Sequence, residues 1–291
     1  MLADFLEKHQ LPQQFTHTVE QYYAPLAEQI FEAFKQQNTS YFVGINGCQG
    51  SGKSTFTAFI GEYLMSKYSL NVAIISLDDF YLTQKQRKGL AKSIHPLLAT
   101  RGVPGTHDNA LLKETLNHLR QQKTGFSIPQ FNKAIDDPFP KSEWTTVDKP
   151  IDIILFEGWC WGISPQNPIQ LAQPINKLEI QRDQDATWRN YVNTQLTEQL
   201  QPLYSFMNTW IVLQAPSFKC VHQWRLEQEQ KLAEKTKQKS HSAIMDSVQI
   251  MHFIQHFQRL TEHGINTLSQ TENTTLFLDE TRHITHMSKA L

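Results

Sequence analysis

YFVGINGCQGSGKST, residues Tyr41 to Thr55, is the stretch that decides the fold. A short apolar run from Tyr41 to Ile45 leads into Gly47-Cys48-Gln49-Gly50-Ser51-Gly52-Lys53-Ser54-Thr55. This carries the spacing G-x-x-x-x-G-K-[ST] of a phosphate-binding loop. Each residue type has a physical reason to be there. Gly47, Gly50 and Gly52 let backbone N–H groups approach phosphate oxygens. Lys53 sets a compact ammonium against the β- and γ-phosphates, and the Ser54 hydroxyl is a candidate Mg²⁺ ligand. Phe56, Phe59, Ile60, Tyr63 and Leu64 follow at helical spacing, so the loop is expected to open a helix whose positive end faces the same phosphates. A chance glycine-rich turn would need neither the strand before it nor the helix after it. The stretch implies a nucleoside-triphosphate site.

Working outward, four further apolar runs read as strands. Val72 to Leu77 is near-continuous, as in a parallel strand buried on both faces, and ends in Asp78-Asp79-Phe80-Tyr81. Ligands of open α/β sheets sit beyond the carboxyl ends of strands, which is where this acidic pair falls. Ile151 to Phe156 ends at Glu157, an acid at a strand tip and a second candidate magnesium or water ligand. Thr209 to Leu213 and Thr275 to Leu278 complete the set. Strands alternating with amphipathic helices predict an α/β fold of three layers around a mostly parallel five-stranded sheet. Val19, Tyr22, Tyr23, Leu26, Ile30 and Phe34 form one helical stripe, so residues 1–40 are expected to be a helical extension packed on the core domain, 41–291. Within that domain, residues 82–150 read as an insertion on the acceptor side. A charged helical stretch within about 216–245 reads as a lid.

Composition narrows the classes. A net charge of −1 over 291 residues gives no basic field for generic nucleic-acid binding. Cys48, Cys160 and Cys220 are isolated, odd in number and lack metal spacing, which suits a reducing cytosol. Asp4, Glu7 and Lys8 interrupt any leader-like opening, and no apolar run approaches a membrane span. The expected compartment is therefore the cytoplasm. Asn176-Lys177-Leu178-Glu179 approaches a guanine-reading Asn-Lys-x-Asp, but it ends in Glu and no apolar strand leads into it. The stretch between Leu82 and His107 reads as a long polar loop holding Lys85, Arg87, Lys88, Lys92 and Arg101. Lys85, Arg87 and Lys88 are expected to face solvent, and Asp108 to cap the following helix.

Taken in order, the phosphate loop, strand-Asp-x-Phe-Tyr and strand-Phe-Glu-Gly resemble the uridine kinase, phosphoribulokinase and pantothenate kinase group. The likeness is closer to plant-type D-glycerate 3-kinases and their bacterial and fungal relatives. It rests on Leu77 through Thr83, Arg101-Gly102 through Asp108, Leu155 through Trp159, Val192-Asn193, Pro216-Ser217, Gln223-Trp224-Arg225-Leu226 and Leu278-Asp279-Glu280. Pro129-Gln130-Phe131-Asn132-Lys133 departs from the family's Pro-Arg-Tyr-Asp-Lys, and the insertion after it is shorter.

The resemblance implies an ATP- and Mg²⁺-dependent kinase of a small alcohol, with the 3-hydroxyl of D-glycerate as acceptor and neither nucleic acid nor membrane as partner. It implies Asp78 as the acid that takes the hydroxyl proton, with Asp79 its rival. Arg225 would reach the transferred phosphate from the lid, and Arg282 would border the nucleotide. An anionic acceptor needs a counter-charge. Arg101 and Lys133 are the candidates for its carboxylate, and His107 and Asp108 for hydroxyls. Tyr81, with Phe80 and Phe131, keeps open a nucleoside acceptor stacked on aromatic rings. A kinase for pantothenate or a sugar-like alcohol, and a non-catalytic ATP-binding regulator, are the other readings. The joint presence of Lys53, Ser54, Asp78 and Glu157 argues against the last.

Overall fold

Successive side chains of a strand point to opposite faces, and the apolar strands of this chain fill both. Phe42, Ile154 and Phe156 join one hydrophobic cluster, while Val43, Ile45, Ile153 and Leu155 join a second on the other side of the sheet. The computed structural model describes residues 1–37, 39–236 and 247–288.

Helices α1 (Leu2–Lys8), α2 (Phe15–Thr18) and α3 (Ala24–Lys35) precede β1 (Tyr41–Gly47), and a π-helical turn joins α2 to α3. Phe5, Tyr23, Leu26 and Ile30 pack in the same cluster as Val43 and Ile45 of β1. Then come α4 (Lys53–Tyr68), β2 (Val72–Ser76), α5 (Gln84–Ser93) and α6 (Asn109–Arg120). Four short strands follow: β3 (Phe126–Ile128), β4 (Phe131–Asn132), β5 (Asp137–Pro138) and β6 (Thr145–Val147). They pair antiparallel as β3 with β6 and β4 with β5. The remainder is β7 (Ile153–Gly158), α7 (Pro168–Ala172), α8 (Lys177–Arg182), α9 (Thr187–Gln195), β8 (Thr209–Gln214), α10 (Phe218–Thr236), α11 (Ser247–Thr267), β9 (Thr274–Leu278) and β10 (Ile284–Met287).

The main sheet has the order β10-β9-β8-β1-β7-β2. The five expected strands are parallel, and β10 adds a sixth, antiparallel to β9. Two expectations need correction. β2 is not buried on both faces: it is the sheet edge, with Ala73 and Ile75 inward and Ile74 45% exposed. The segment after Leu82 is not loop throughout. It contains α5, opened by a capping box in which Thr83 Oγ1 accepts from Gln86 N at 3.2 Å while the Gln86 side chain accepts from Thr83 N at 2.9 Å. The expected lid coincides with α10 as far as Thr236; its part from residue 237 on lies outside the described residues. Among the described residues no helix is long and apolar enough to cross a membrane.

The Asn176–Glu179 stretch has a structural explanation. Asn176 caps α8, its side chain accepting from Glu179 N at 3.0 Å. The Glu179 carboxylate is fully buried and accepts from Arg259 Nε at 2.8 Å and Nη2 at 2.6 Å. Arg259 also donates to the carbonyls of Gln170 and Gln173. Replacing Arg259 by leucine leaves a buried carboxylate without its cation, so a loss of about 3–5 kcal/mol is expected in urea unfolding. An unfolding midpoint unchanged from the wild type would contradict this.

Candidate active site

β1 lies inside the sheet between β7 and β8, and its carboxyl end releases the phosphate loop. Gly50 (φ +80°) and Gly52 (φ +90°) adopt the left-handed conformation that carries the chain into α4. A Cβ on Gly50 would also lie 2.5 Å from Cβ of Trp224, so this turn is pressed against α10. No side chain caps the start of α4, which leaves its first amides, around Lys53, Ser54 and Thr55, for an anion. Cys48 is buried in the loop, and burial pushes its thiol up to about 12, so it acts as a small filler. Gln49 is half-buried beside it.

Strand register brings the acids to the loop. Glu157 is level with Ile45 of β1 on one side and Ser76 of β2 on the other, and Asp78 emerges two residues beyond Ser76. Ser54 Oγ donates to Glu157 Oε1 at 3.2 Å, and Lys53 Nζ lies 3.6 Å from Glu157 Oε2. Burial alone would lower the Lys53 pKa, but Glu157 and Asp78 raise it overall, so the ammonium stays charged. Glu157 is buried, and its Oε2 has no hydrogen-bond partner among the described residues. A hydroxyl and a carboxylate beside a triphosphate-type loop suit a hard divalent cation.

Asp78 stands on the short 3₁₀ turn Leu77–Phe80 with both oxygens engaged. Oδ1 accepts from Tyr81 OH at 2.7 Å and Oδ2 from Lys133 Nζ at 2.7 Å. Burial would raise its pKa, but Lys133, Lys53 and the Tyr81 hydroxyl together hold it well below the usual carboxylate range. Asp79 turns the other way and accepts from Phe131 N at 3.1 Å. Burial, helped by the charges of Asp78 and Glu157, pushes it up to about 6.

The segment Arg101–Asp108 returns to this turn. Tyr81 and His107 form a β-bridge with rings stacked at 4.6 Å. His107 is buried with no hydrogen-bond partner on either ring nitrogen among the described residues, and burial lowers it to about 4, so it is neutral. Asp108 caps α6 as expected, accepting from Leu111 N at 3.0 Å. Arg101 pairs with Asp136 and lies over the Phe131 ring.

Arg87, expected in solvent, is corrected: it is buried, donating to the carbonyls of Leu82, Ala99 and Asp136 and pairing with the Asp136 carboxylate at 2.8 Å. Asp136 thus collects two arginines, and neither its role nor that of Arg87 was visible in sequence. The adjacent acids Asp136-Asp137 were the available signal. Lys85 and Lys88 are exposed as expected.

On the opposite side of the loop, Trp224 is fully buried and its indole N–H donates to Glu280 O at 2.7 Å. Arg225, half-buried, lies 5.8 Å from the Phe253 ring centroid. Arg282 pairs with Glu227 and lies over Trp224, so its visible work is to tie the loop after β9 to α10.

The sequence profile of the KAP family P-loop domain matches residues 21–285. The chain belongs to this P-loop family. An uncharacterized kinase, mug58, of Schizosaccharomyces pombe is 30% identical over 268 residues, covering 86% of this chain and 91% of that protein. The chloroplastic D-glycerate 3-kinase of Arabidopsis thaliana is 31% identical over 197 residues, or 64% of this chain and 40% of that one. A solved D-glycerate 3-kinase of Cryptococcus neoformans superposes with a TM-score of 0.77 at 25% identity, covering 93% of this chain and 98% of that chain. This P-loop kinase is therefore a nucleotide-using phosphotransferase, and its α/β fold with a mostly parallel sheet is that of its relatives.

Proposed function

We propose that this kinase transfers the γ-phosphoryl group of ATP to the 3-hydroxyl of D-glycerate. The observation that carries the acceptor half is the pair of cations at the Asp78 turn: Lys133 on Asp78 itself, and Arg101 over Phe131. Cations there suit a small anionic alcohol, and two similar proteins are named D-glycerate 3-kinases. A nucleoside acceptor is disfavoured because both rings are buried: Tyr81 is stacked on His107 and edge-on to Phe131, and Phe131 lies under Arg101.

Phosphoryl transfer passes through a loose transition state, so catalysis is mainly positioning and charge stabilisation. Lys53 and the amides of Gly47 to Thr55 hold the triphosphate. Ser54 and Glu157 would hold Mg²⁺, which when bound neutralises charge on the β- and γ-phosphates. Asp78 orients the acceptor hydroxyl and takes its proton as oxygen bonds to the γ-phosphorus. The bond to the β,γ-bridging oxygen breaks, and ADP leaves with the electron pair. Arg225 stabilises the transferring group, with Arg282 on the nucleotide side. Asp79, Tyr81, Arg101, His107, Asp108 and Lys133 form the acceptor side. In this reading residues 82–150 are the acceptor-side insertion, about 216–245 the lid, and 1–40 an extension packed on the kinase domain.

The test is a panel of D-glycerate, glycerol, uridine and pantothenate, each with ATP and Mg²⁺, following ADP release and locating the phosphate by ³¹P NMR. D-Glycerate is expected to be turned over fastest, giving the 3-phosphate. Turnover of uridine or pantothenate with D-glycerate untouched would overturn the acceptor assignment.

A further inference from the structure

Both oxygens of Asp78 are occupied by protein groups, and the two partners are built differently. Tyr81 is buried, stacked on His107 and edge-on to Phe131, so its hydroxyl is fixed on Oδ1. Lys133 is 62% exposed, at the turn of the β4–β5 hairpin, with its ammonium on Oδ2. That hairpin is pinned at both ends: at its base Phe131 N donates to Asp79, and in its turn Asp136 holds both Arg87 and Arg101. Only the flexible lysine side chain therefore has to move to release Oδ2.

We propose that Lys133 is an exchangeable cover on Asp78, drawn off Oδ2 by the acceptor's own carboxylate, so that an anionic alcohol uncovers the base that accepts its proton. This rests on the acceptor reading above and deepens it. The exchange is nearly isoelectric, because the ammonium leaves one carboxylate for another. A lysine–carboxylate pair with so exposed a lysine is held only weakly, so the swap is easy. A neutral alcohol offers the lysine nothing in return and meets a covered base. Water meets the same cover, which restrains ATP hydrolysis when no acceptor is bound. Oδ1 stays with Tyr81 throughout, and the other charged or titratable groups near Asp78 are Lys53, His107, Asp79 and Cys160.

The experiment compares the wild type with Lys133→Met, which keeps the stem and removes the charge, and with Lys133→Arg. Three rates are read: D-glycerate turnover, glycerol turnover, and ATP hydrolysis without acceptor. In Lys133→Met the KM for D-glycerate should rise by about tenfold to a hundredfold, the worth of a charged hydrogen bond. The kcat/KM for glycerol should rise rather than fall. A positioned base contributes about 10²–10⁴-fold and water is a poorly held acceptor, so hydrolysis should rise by about tenfold. Lys133→Arg should keep the preference for D-glycerate over glycerol. Parallel losses on both alcohols with unchanged hydrolysis would overturn the cover and leave Lys133 as a supporting charge. A wild type that ignores D-glycerate, with hydrolysis still raised in Lys133→Met, would sink the acceptor assignment and uphold the cover.

Discussion

Lys53→Ala is expected to fold and to lose at least about 10³-fold in kcat/KM, with ATP binding clearly weakened in calorimetry. The reason lies in the charges around it. Lys53 is the cation between Glu157, 3.6 Å away, and Asp78, and both raise its pKa against the effect of burial. Without it, two carboxylates and a triphosphate share one crevice that has lost the cation lying between them. The backbone is not the source of the loss, because the loop turns on Gly50 and Gly52 and Gly50 is held by Trp224. Lys53→Arg should recover little, since a planar fork does not replace a compact ammonium in a site shaped by backbone. A folded Lys53→Ala protein with unchanged ATP affinity and turnover would remove the phosphate loop from the mechanism.

The second large effect belongs to Asp78. Asp78→Asn should lower kcat by about 10²–10⁴-fold, the usual contribution of a positioned base, with little change in the KM for ATP. Asp79→Asn should be mild. Geometry supports this order: Asp78 lies in the field of Lys53, whereas Asp79 is turned onto Phe131 N. The pKa values supply the rival case, because Asp79 at about 6 is nearer the operating pH of a base. The two cases differ in whether a rising limb near pH 6 belongs to the base. A base on Asp79 would make kcat rise as pH increases through about 6, and Asp79→Asn would abolish that limb. A base on Asp78 leaves the kcat profile of Asp79→Asn superimposable on the wild type.

How much of this was legible in the chain depended on how local each feature is. The phosphate loop is a contiguous run whose strand, turn and helix carry separate signatures, and Glu157 needed only a strand tip. Arg87 could not be read, because its carboxylate partner Asp136 stands 49 residues away in a hairpin that sequence shows only as proline-rich. The edge position of β2 was hidden because periodicity reports a strand's own faces and not its neighbours. β10, Ile-Thr-His-Met, is too short and polar to stand out from the turn before it. Helix α5 was readable after all: its apolar content is low, but Thr83 with Gln86 is a helix-start signature.

Trp224 has a mechanical consequence. It is clasped at three points: its Cβ abuts the backbone of Gly50, its indole N–H is held by Glu280 O, and its ring lies under Arg282. The root of α10 is thereby bolted to the same block as the phosphate loop. Any pivot for movement of the proposed lid must lie beyond it along the helix, so Arg225, the very next residue, rides on the stationary part. In the proposed mechanism its contact with the transferring phosphate would then be set before nucleotide arrives, with no ordering of the helix root required at the moment of reaction.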